Sequence, residues 1–377
     1  MVTFLHTADW QLGMTRHFLD EDAQPRFSAA RIDAIRTIGQ AAEEAGAAFV
    51  VVCGDVFETN HVERRVIVRA LETMGEAKTT FYLLPGNHDP LDASSVFRSA
   101  IFEQNRPDNV IVLDRPGIWE TGHGLELVAA PWSSKRPLAD LVSQAARELS
   151  SDGTIRVAVG HGGADVLSPD PNDPALVRVA ELEAAAGDGR LHYVALGDRH
   201  STTEVGATGR IWYSGAPEPT DYRESDPGNV LVVRLDDARS VHVERRRVGT
   251  WRFLQEDFEL SGAGDVDRVS DWLTGLPNKD RTIVKLALVG SLSLREKAGL
   301  DAVIEHHADL FSALETWARR SELVVVPGDG DLSELRVAGF ARAAVEALRV
   351  DAGGSGEDAL VARDALTLLY RLGSSPS

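Results

Sequence analysis

Five short apolar strands in this chain each run into residues that handle metals or protons, and that recurrence restricts the fold more than any other feature. The clearest case is Thr79-Thr80-Phe81-Tyr82-Leu83-Leu84-Pro85-Gly86-Asn87-His88-Asp89-Pro90. Its first half is β-forming and too short for a helix, so it reads as a buried strand. Pro85-Gly86 stops the run and turns the backbone. An amide, an imidazole and a carboxylate follow at once, where α/β sheets carry their chemistry. Taken alone, the stretch is equally well an Asn/Asp turn with an incidental histidine.

The pattern recurs along the chain. Thr3 to Ala8 ends in Asp9-Trp10-Gln11, and Ala48 to Cys53 ends in Gly54-Asp55. Ile155 to Val159 leads to Gly160-His161, and Tyr193 to Leu196 leads to Gly197-Asp198-Arg199-His200. Helical spacing at Phe27, Ile32, Ile35, Ile38 and Ala42, closed by Gly46, predicts a helix from Pro25 to Ala45 between the first two strands. A strand–helix–strand unit with fully apolar strands belongs to a covered, mostly parallel sheet. Further helices are expected over Glu63–Glu76, Leu138–Leu149 and up to Ala186. The segments Arg210–Ser214, Asn229–Leu235 and Ser240–Arg247 read as antiparallel strands closing a sheet.

Aligned strands would gather Asp9, Gln11, Asp55, Asn87, His88, His161, Asp198 and His200 at one sheet edge. Carboxylates and an amide mixed with imidazoles suit Mn²⁺, Fe or Zn²⁺ better than calcium or a structural zinc. A central carboxylate, for which Asp55 is the candidate, can bridge two ions as in phosphoester hydrolysis. Each residue has a plainer role open to it: Asp9 and Asp55 as helix caps, His161 and His200 as satisfied loop histidines. Five such sets in register argue against coincidence.

These residues carry a resemblance. Asp9-Trp10-Gln11, Gly54-Asp55, Gly86-Asn87-His88-Asp89, His161 and Gly197-Asp198-Arg199-His200 resemble the ordered motifs of calcineurin-like metallophosphoesterases, written D-x-H, GD, GNH[DE], H and GHxH. The flanks Phe4 to Asp9 with Gln11-Leu12-Gly13, Gly54 to Glu58, Tyr193 to Gly197, and Tyr213-Ser214-Gly215-Ala216-Pro217-Glu218 resemble the SbcD-type DNA-repair nuclease branch. The resemblance covers residues 1 to about 250. It implies an α/β fold, a four-layer α/β/β/α sandwich with a smaller α+β capping domain and C-terminal helices. The expected division is 1–250 for the metallophosphoesterase domain, 251–335 for the capping domain and 336–377 for a helical segment able to dock a partner.

Carried over position by position, the resemblance implies two divalent ions, Mn²⁺ foremost, with Mg²⁺, Fe or Zn²⁺ as alternatives. One ion would be held by Asp9, Gln11, Asp55 and His200, the other by Asp55, Asn87, His161 and Asp198. His88 would be the proton-handling catalytic residue, with Asp89 orienting its ring. Two positions depart from the pattern: Gln11 stands where the family has His, and Asp198 where it has the first His of GHxH. Gln is a neutral, weaker donor, while Asp198 is a harder ligand that favours Mn²⁺ or Mg²⁺. The implied activity is a metal-dependent DNA exonuclease or endonuclease working with an SMC-like coiled-coil ATPase. The rival readings are a nucleotide-type small-molecule phosphoesterase and a metal-poor, non-catalytic scaffold subunit.

Composition sets outer bounds. With 377 residues, 43% hydrophobic and 26% charged, the chain is an ordinary globular sequence with room for two or three units. A net charge of −19 argues against holding nucleic acid by a broad basic surface, but not against its reaching a metal-filled cleft. Cys53 is the only cysteine, so no intramolecular disulfide can form and a reducing cytoplasm is expected. No signal peptide or membrane association is expected. After Leu260, helices are expected over Asp265–Leu276 and Leu300–Trp317, and strands over Thr282–Val289 and Leu323–Val326. Two amphipathic helices, with stripes Phe340, Ala344, Leu348 and Leu360, Leu366, Leu369, are expected around a Gly353–Gly356 link. Val62, Val66, Ile67 and Leu71 fit either a homodimer contact or ordinary core.

Overall fold

The computed structural model describes residues 1–236, 240–326 and 340–374. Internal contacts divide the chain into two units, Met1–His17 with Gln24–Trp251, and Phe18–Ala23 with Arg252–Ser377. The strands of the first unit are β1 (Val2–Thr7), β2 (Phe49–Cys53), β3 (Thr80–Leu84), β4 (Val110–Val112), β5 (Gly117–Glu120), β6 (Leu125–Ala129), β7 (Ile155–His161), β8 (Tyr193–Gly197), β9 (Thr203–Val205), β10 (Ile211–Tyr213), β11 (Asn229–Leu235) and β12 (Val241–Arg247). They form two six-stranded sheets, ordered β12-β11-β1-β2-β3-β4 and β5-β6-β7-β8-β10-β9. The runs β1-β2-β3-β4 and β6-β7-β8-β10 are parallel.

Strand alternation explains the layering, because successive side chains leave a strand on opposite faces. On β2, Val50 and Val52 pack outward against Ile32, Ile35 and Ile38 of α1 (Ala23–Ala45) and Ala70, Leu71 and Met74 of α2 (Arg64–Glu76). Phe49, Val51 and Cys53 turn inward, where they meet Leu127, Val157, Val159, Tyr193 and Ala195 of the second sheet. Ala158, Val194 and Leu196 in turn pack on helices Leu141–Arg147 and Val179–Gly187 through Val142, Ala146, Leu182 and Ala185. The result is helix, sheet, sheet, helix, the four layers expected.

Aromatic rings fix the contact between the sheets. Phe4 stacks on Phe49 at 5.1 Å and meets Tyr193 edge-on at 5.7 Å, and Phe49 meets Tyr82 edge-on at 5.4 Å. Such pairs add about 0.5–1.5 kcal/mol each beyond area burial. His6, fully buried, joins β1 to β8 by hydrogen bonds with the Tyr193 hydroxyl (3.1 Å) and the Leu196 carbonyl (3.1 Å). Burial holds its pKa down at about 3, so it is a neutral tie.

Two expectations from sequence are corrected. The segments read as one antiparallel run divide between sheets: β10 lies parallel to β8, whereas β11 and β12 extend the first sheet beside β1. The helix expected over Leu300–Trp317 spans Leu294–Ala308, and Ala313–Thr316 is a strand. The last two helices, Phe340–Ala352 and Glu357–Ser374, are packed in the second unit: Val345, Ala352, Ala362 and Leu366 cluster with Leu294, Ala298 and Val325. That unit is an all-parallel sheet in which the long strand Thr282–Leu292 pairs with Arg252–Leu260 on one edge and shares the other between Ala313–Thr316 and Glu322–Val325. The side chains of Phe340 and Leu360 lie outside the described residues. Of the candidate dimer residues, Ile67 and Leu71 are core, and Val62 and Val66 pack against it. Among the described residues no helix is long and apolar enough to cross a membrane.

Candidate metal centre

The loops after β1 and β2 continue side by side past the ends of their strands. Asp9 N–H donates to the Gly54 carbonyl, Gln11 N–H to Asp55, Leu12 N–H to Val56 and Glu58 N–H to Leu12. This ladder carries Asp9, Gln11, Asp55 and Glu58 to one edge of the sandwich. The loop after β3 is tied in by His88 N–H, which donates to Asp55 Oδ1 at 2.9 Å, and Asp198 N–H after β8 donates to Asp9 Oδ1 at 3.0 Å.

The backbone here is strained. Among the described residues, five that are not glycine have positive φ, and four of them are Asp9 (54°), Gln11 (45°), Asp55 (54°) and Asp198 (95°). Left-handed backbone at non-glycine residues costs on the order of 1–3 kcal/mol each and persists where the surroundings enforce it, commonly at functional sites. Glycines make room for the ligand atoms. A Cβ on Gly54 would lie 2.1 Å from His161 Nδ1, and one on Gly86 would lie 2.2 Å from Asp55 Oδ1.

At the centre, Asp9, Asp55 and His161 offer ligand atoms that all lie within 4.8 Å of one another, and all three are buried. His161 Nδ1 bonds to the Cys53 carbonyl at 2.8 Å, so Nδ1 carries the proton and Nε2 faces the cluster. That Nε2 is 2.6 Å from Asn87 Oδ1, 3.5 Å from Asp55 Oδ2 and 3.8 Å from Asp198 Oδ1. Trp132 Nε1–H donates to the His161 carbonyl at 2.7 Å and its ring stands edge-on to the imidazole.

On the other side, His200 Nδ1 is 2.7 Å from Thr220 Oγ1 and 2.9 Å from Glu224 Oε1, and its Nε2 is 3.2 Å from Gln11 Nε2. Glu224 also receives the Thr220 N–H and hydroxyl. Gln11 is 2% exposed, and its Oε1 is buried with no hydrogen-bond partner.

The electrostatics describe a cluster short of positive charge. Burial raises Asp9 to about 6 despite His200 and His161, and burial followed by the Asp55 charge raises Asp89 to about 7. Burial would lower His161, but Asp55, Asp9 and Asp198 outweigh it and lift the imidazole to about 9. Burial likewise opposes charge on His200, where Glu224 and Asp9 prevail, again at about 9.

The structure therefore brings Asp9, Gln11, Asp55, Asn87, His88, His161, Asp198 and His200 together. His88 Nδ1 donates to the Glu58 carbonyl at 2.9 Å, and its Nε2 is 3.9 Å from Asp55 Oδ2. Asp89 needs correction. Its carboxylate accepts the backbone N–H groups of Gly86 (2.8 Å) and Phe57 (2.9 Å) and is fully buried. It braces the two loops, and the Glu58 carbonyl orients the His88 ring. The reading from sequence also passed over Trp132, Thr220 and Glu224. Glu224 had no local signal, because its partner is a histidine 24 residues away in a loop.

A divalent cation fits this donor set. Carboxylate, amide and imidazole groups converge from separate strands, and the orphaned Oε1 of Gln11 lacks a donor, a place that a cation would fill. The chain matches the calcineurin-like phosphoesterase family model over residues 2–232 and belongs to that family. No curated protein matches it. Among solved structures, the crystal structure of TT1561 of Thermus thermophilus is 12% identical, covering 65% of this chain and 98% of that one, with a TM-score of 0.39. Another is 14% identical, covering 64% and 98%, with a TM-score of 0.37. The chain is thus a metallophosphoesterase by family, with a clustered Asp–His site suited to divalent metal.

Proposed function

We propose that this chain is a binuclear-metal phosphodiesterase of the SbcD type that cuts DNA alongside an SMC-like coiled-coil ATPase. The observation that carries the reading is the cleft over the cluster. It is open to solvent, about 470 Å³, and lined by Gln11, His88 and His200, with Arg16, Arg199 and Arg223 standing among the carboxylates of Glu58, Asp198, Asp221 and Glu224. In a chain of net charge −19, guanidinium groups gathered at the acidic site favour an anionic substrate, and an open cleft favours a polymer over a small molecule.

Two ions would be held by Asp9, Gln11, Asp55 and His200, and by Asp55, Asn87, His161 and Asp198. When bound, they supply Lewis-acid stabilisation of the charge on the phosphoryl oxygens. The chain does the rest. Its cleft arginines engage the diester, and the Cys53 carbonyl keeps His161 Nε2 facing inward. With Nδ1 committed to the Glu58 carbonyl, His88 Nε2 is the atom that exchanges a proton with the phosphoryl or leaving oxygen. Exposed Val350, Val361 and Leu368 on the last two helices support a docking role for that segment.

The test is digestion of linear and circular DNA by the purified chain with Mn²⁺, against a small phosphodiester. The expected result is metal-dependent DNA cleavage, reduced about 10²–10⁴-fold by His88→Ala with metal content unchanged. Turnover of the small diester alone favours the nucleotide-type reading. No turnover of either with any divalent metal sinks the proposal and leaves the scaffold role.

A further inference from the structure

Glu58 is not among the family-type ligand positions, yet the loop ladder delivers it to the same cleft as Gln11. Its N–H donates to the Leu12 carbonyl, one residue beyond Gln11, and its side chain lines the cleft beside His88. Its Oε2 is buried and has no hydrogen-bond partner. A buried carboxylate oxygen left unmatched costs far more than an exposed one, so its retention calls for a positive or donating partner. His88, Arg16 and Arg31 are the positive groups that act on it, and none of them makes a hydrogen bond to Oε2. Arg31 donates through Nη1 and Nη2 to the carbonyls of Trp10 and Pro219 at 3.0 and 2.8 Å while its Nε has no partner, and Arg16 donates through Nε and Nη2 to the Thr220 carbonyl.

Two unmatched buried oxygens, Gln11 Oε1 and Glu58 Oε2, thus belong to residues that line one cleft together with His88, Asp198 and His200. Gln11 alone is a weak neutral donor where an imidazole is expected. We propose that Glu58 is an additional ligand of the metal ion nearest Gln11, its carboxylate supplying the charge and donor strength that Gln11 lacks. That ion then has an oxygen-rich surround of Asp9, Gln11, Asp55 and Glu58 with the single imidazole of His200, a set that favours Mn²⁺ or Mg²⁺ over Zn²⁺. The inference rests on the metal-dependent reading above.

The test is Mn²⁺ titration of the metal-free full-length chain by calorimetry, with electron paramagnetic resonance counting bound ions, and with no substrate present. Glu58→Gln, which keeps shape and removes charge, should weaken one of two sites on the order of 10–100-fold and leave the other unchanged. Adding Gln11→His to Glu58→Gln should restore the weakened site. Unchanged Mn²⁺ affinity in Glu58→Gln, with a lowered melting temperature before metal is added, would overturn the proposal and make Glu58 a structural counter-charge to Arg16 and Arg31. Should Glu58→Gln fail to fold, Glu58→Asp decides: one methylene shorter, it should weaken the same site, and unchanged affinity overturns the idea. A wild-type chain that binds no Mn²⁺ refutes the metal reading as a whole, whereas two bound ions indifferent to Glu58 refute this inference alone.

Discussion

Single residues at this site are held where their own backbone preferences resist. Asp9, Gln11, Asp55 and Asp198 adopt left-handed backbone that glycine would tolerate better; the loop ladder keeps the first three there, and the bond from Asp198 N–H to Asp9 Oδ1 the fourth. Gly54 shows how tight the fit is. Gly54→Ala forces a methyl to 2.1 Å from His161 Nδ1 at a φ of +91°, so the ring must leave the Cys53 carbonyl. The variant should lose about 1–3 kcal/mol of stability and its tight metal binding. Gly46→Ala, with φ +62° and open space around it, should bear only the backbone strain and bind metal as before. Thermal melts with and without Mn²⁺ check both, and a Gly54→Ala protein that binds metal normally would mean that the Cys53–His161 contact does not position the ligand.

At the scale of elements, what was legible in the sequence was whatever local chemistry decides. The five strand ends were readable because short apolar runs met glycine and polar ligands at once, and α1 was readable from its apolar spacing and Gly46. The strand Ala313–Thr316 was not: residues 300–317 contain no glycine or proline to interrupt a helical pattern, and pairing with Ile283–Leu286 overrides it. The true helix start was signalled by Ser293 and Glu296, which form a reciprocal capping box. Strand Arg252–Leu260 is half polar and gains its order from pairing along its whole length. Which sheet β10 and β11 join is a matter of long-range pairing that no local pattern carries. In the site, ligand identity was legible, whereas Asp89 as a loop brace and Glu224 behind His200 depend on contacts across 32 and 24 residues.

For the whole molecule, the protonation of the cluster links stability to pH. His161 and His200 both sit at about 9 in the fold against an ordinary 6.5, so each favours the folded state at and below pH 6.5. That contribution is lost as pH rises through 9. His6, held at about 3, acts below this window and does not oppose it there. Metal-free protein should therefore melt at a lower temperature at pH 9 than at pH 7. Saturating Mn²⁺ should remove the decline, because ligation requires neutral imidazoles and displaces their protons. A metal-free melting temperature that is flat or rises across this range would contradict the charge balance described for the cluster.

In the proposed function, strand ends from both sheets build one site for two cations around Asp55. Calorimetric titration of metal-free wild type with Mn²⁺, set beside Asp55→Ala, tests it most directly. Two ions are expected per wild-type chain, with both sites lost or severely weakened in Asp55→Ala, because the Asp55 carboxylate lies 3.5 Å from His161 Nε2 and 3.9 Å from His88 Nε2. One ion or none in wild type, or two that survive the removal of Asp55, would contradict it.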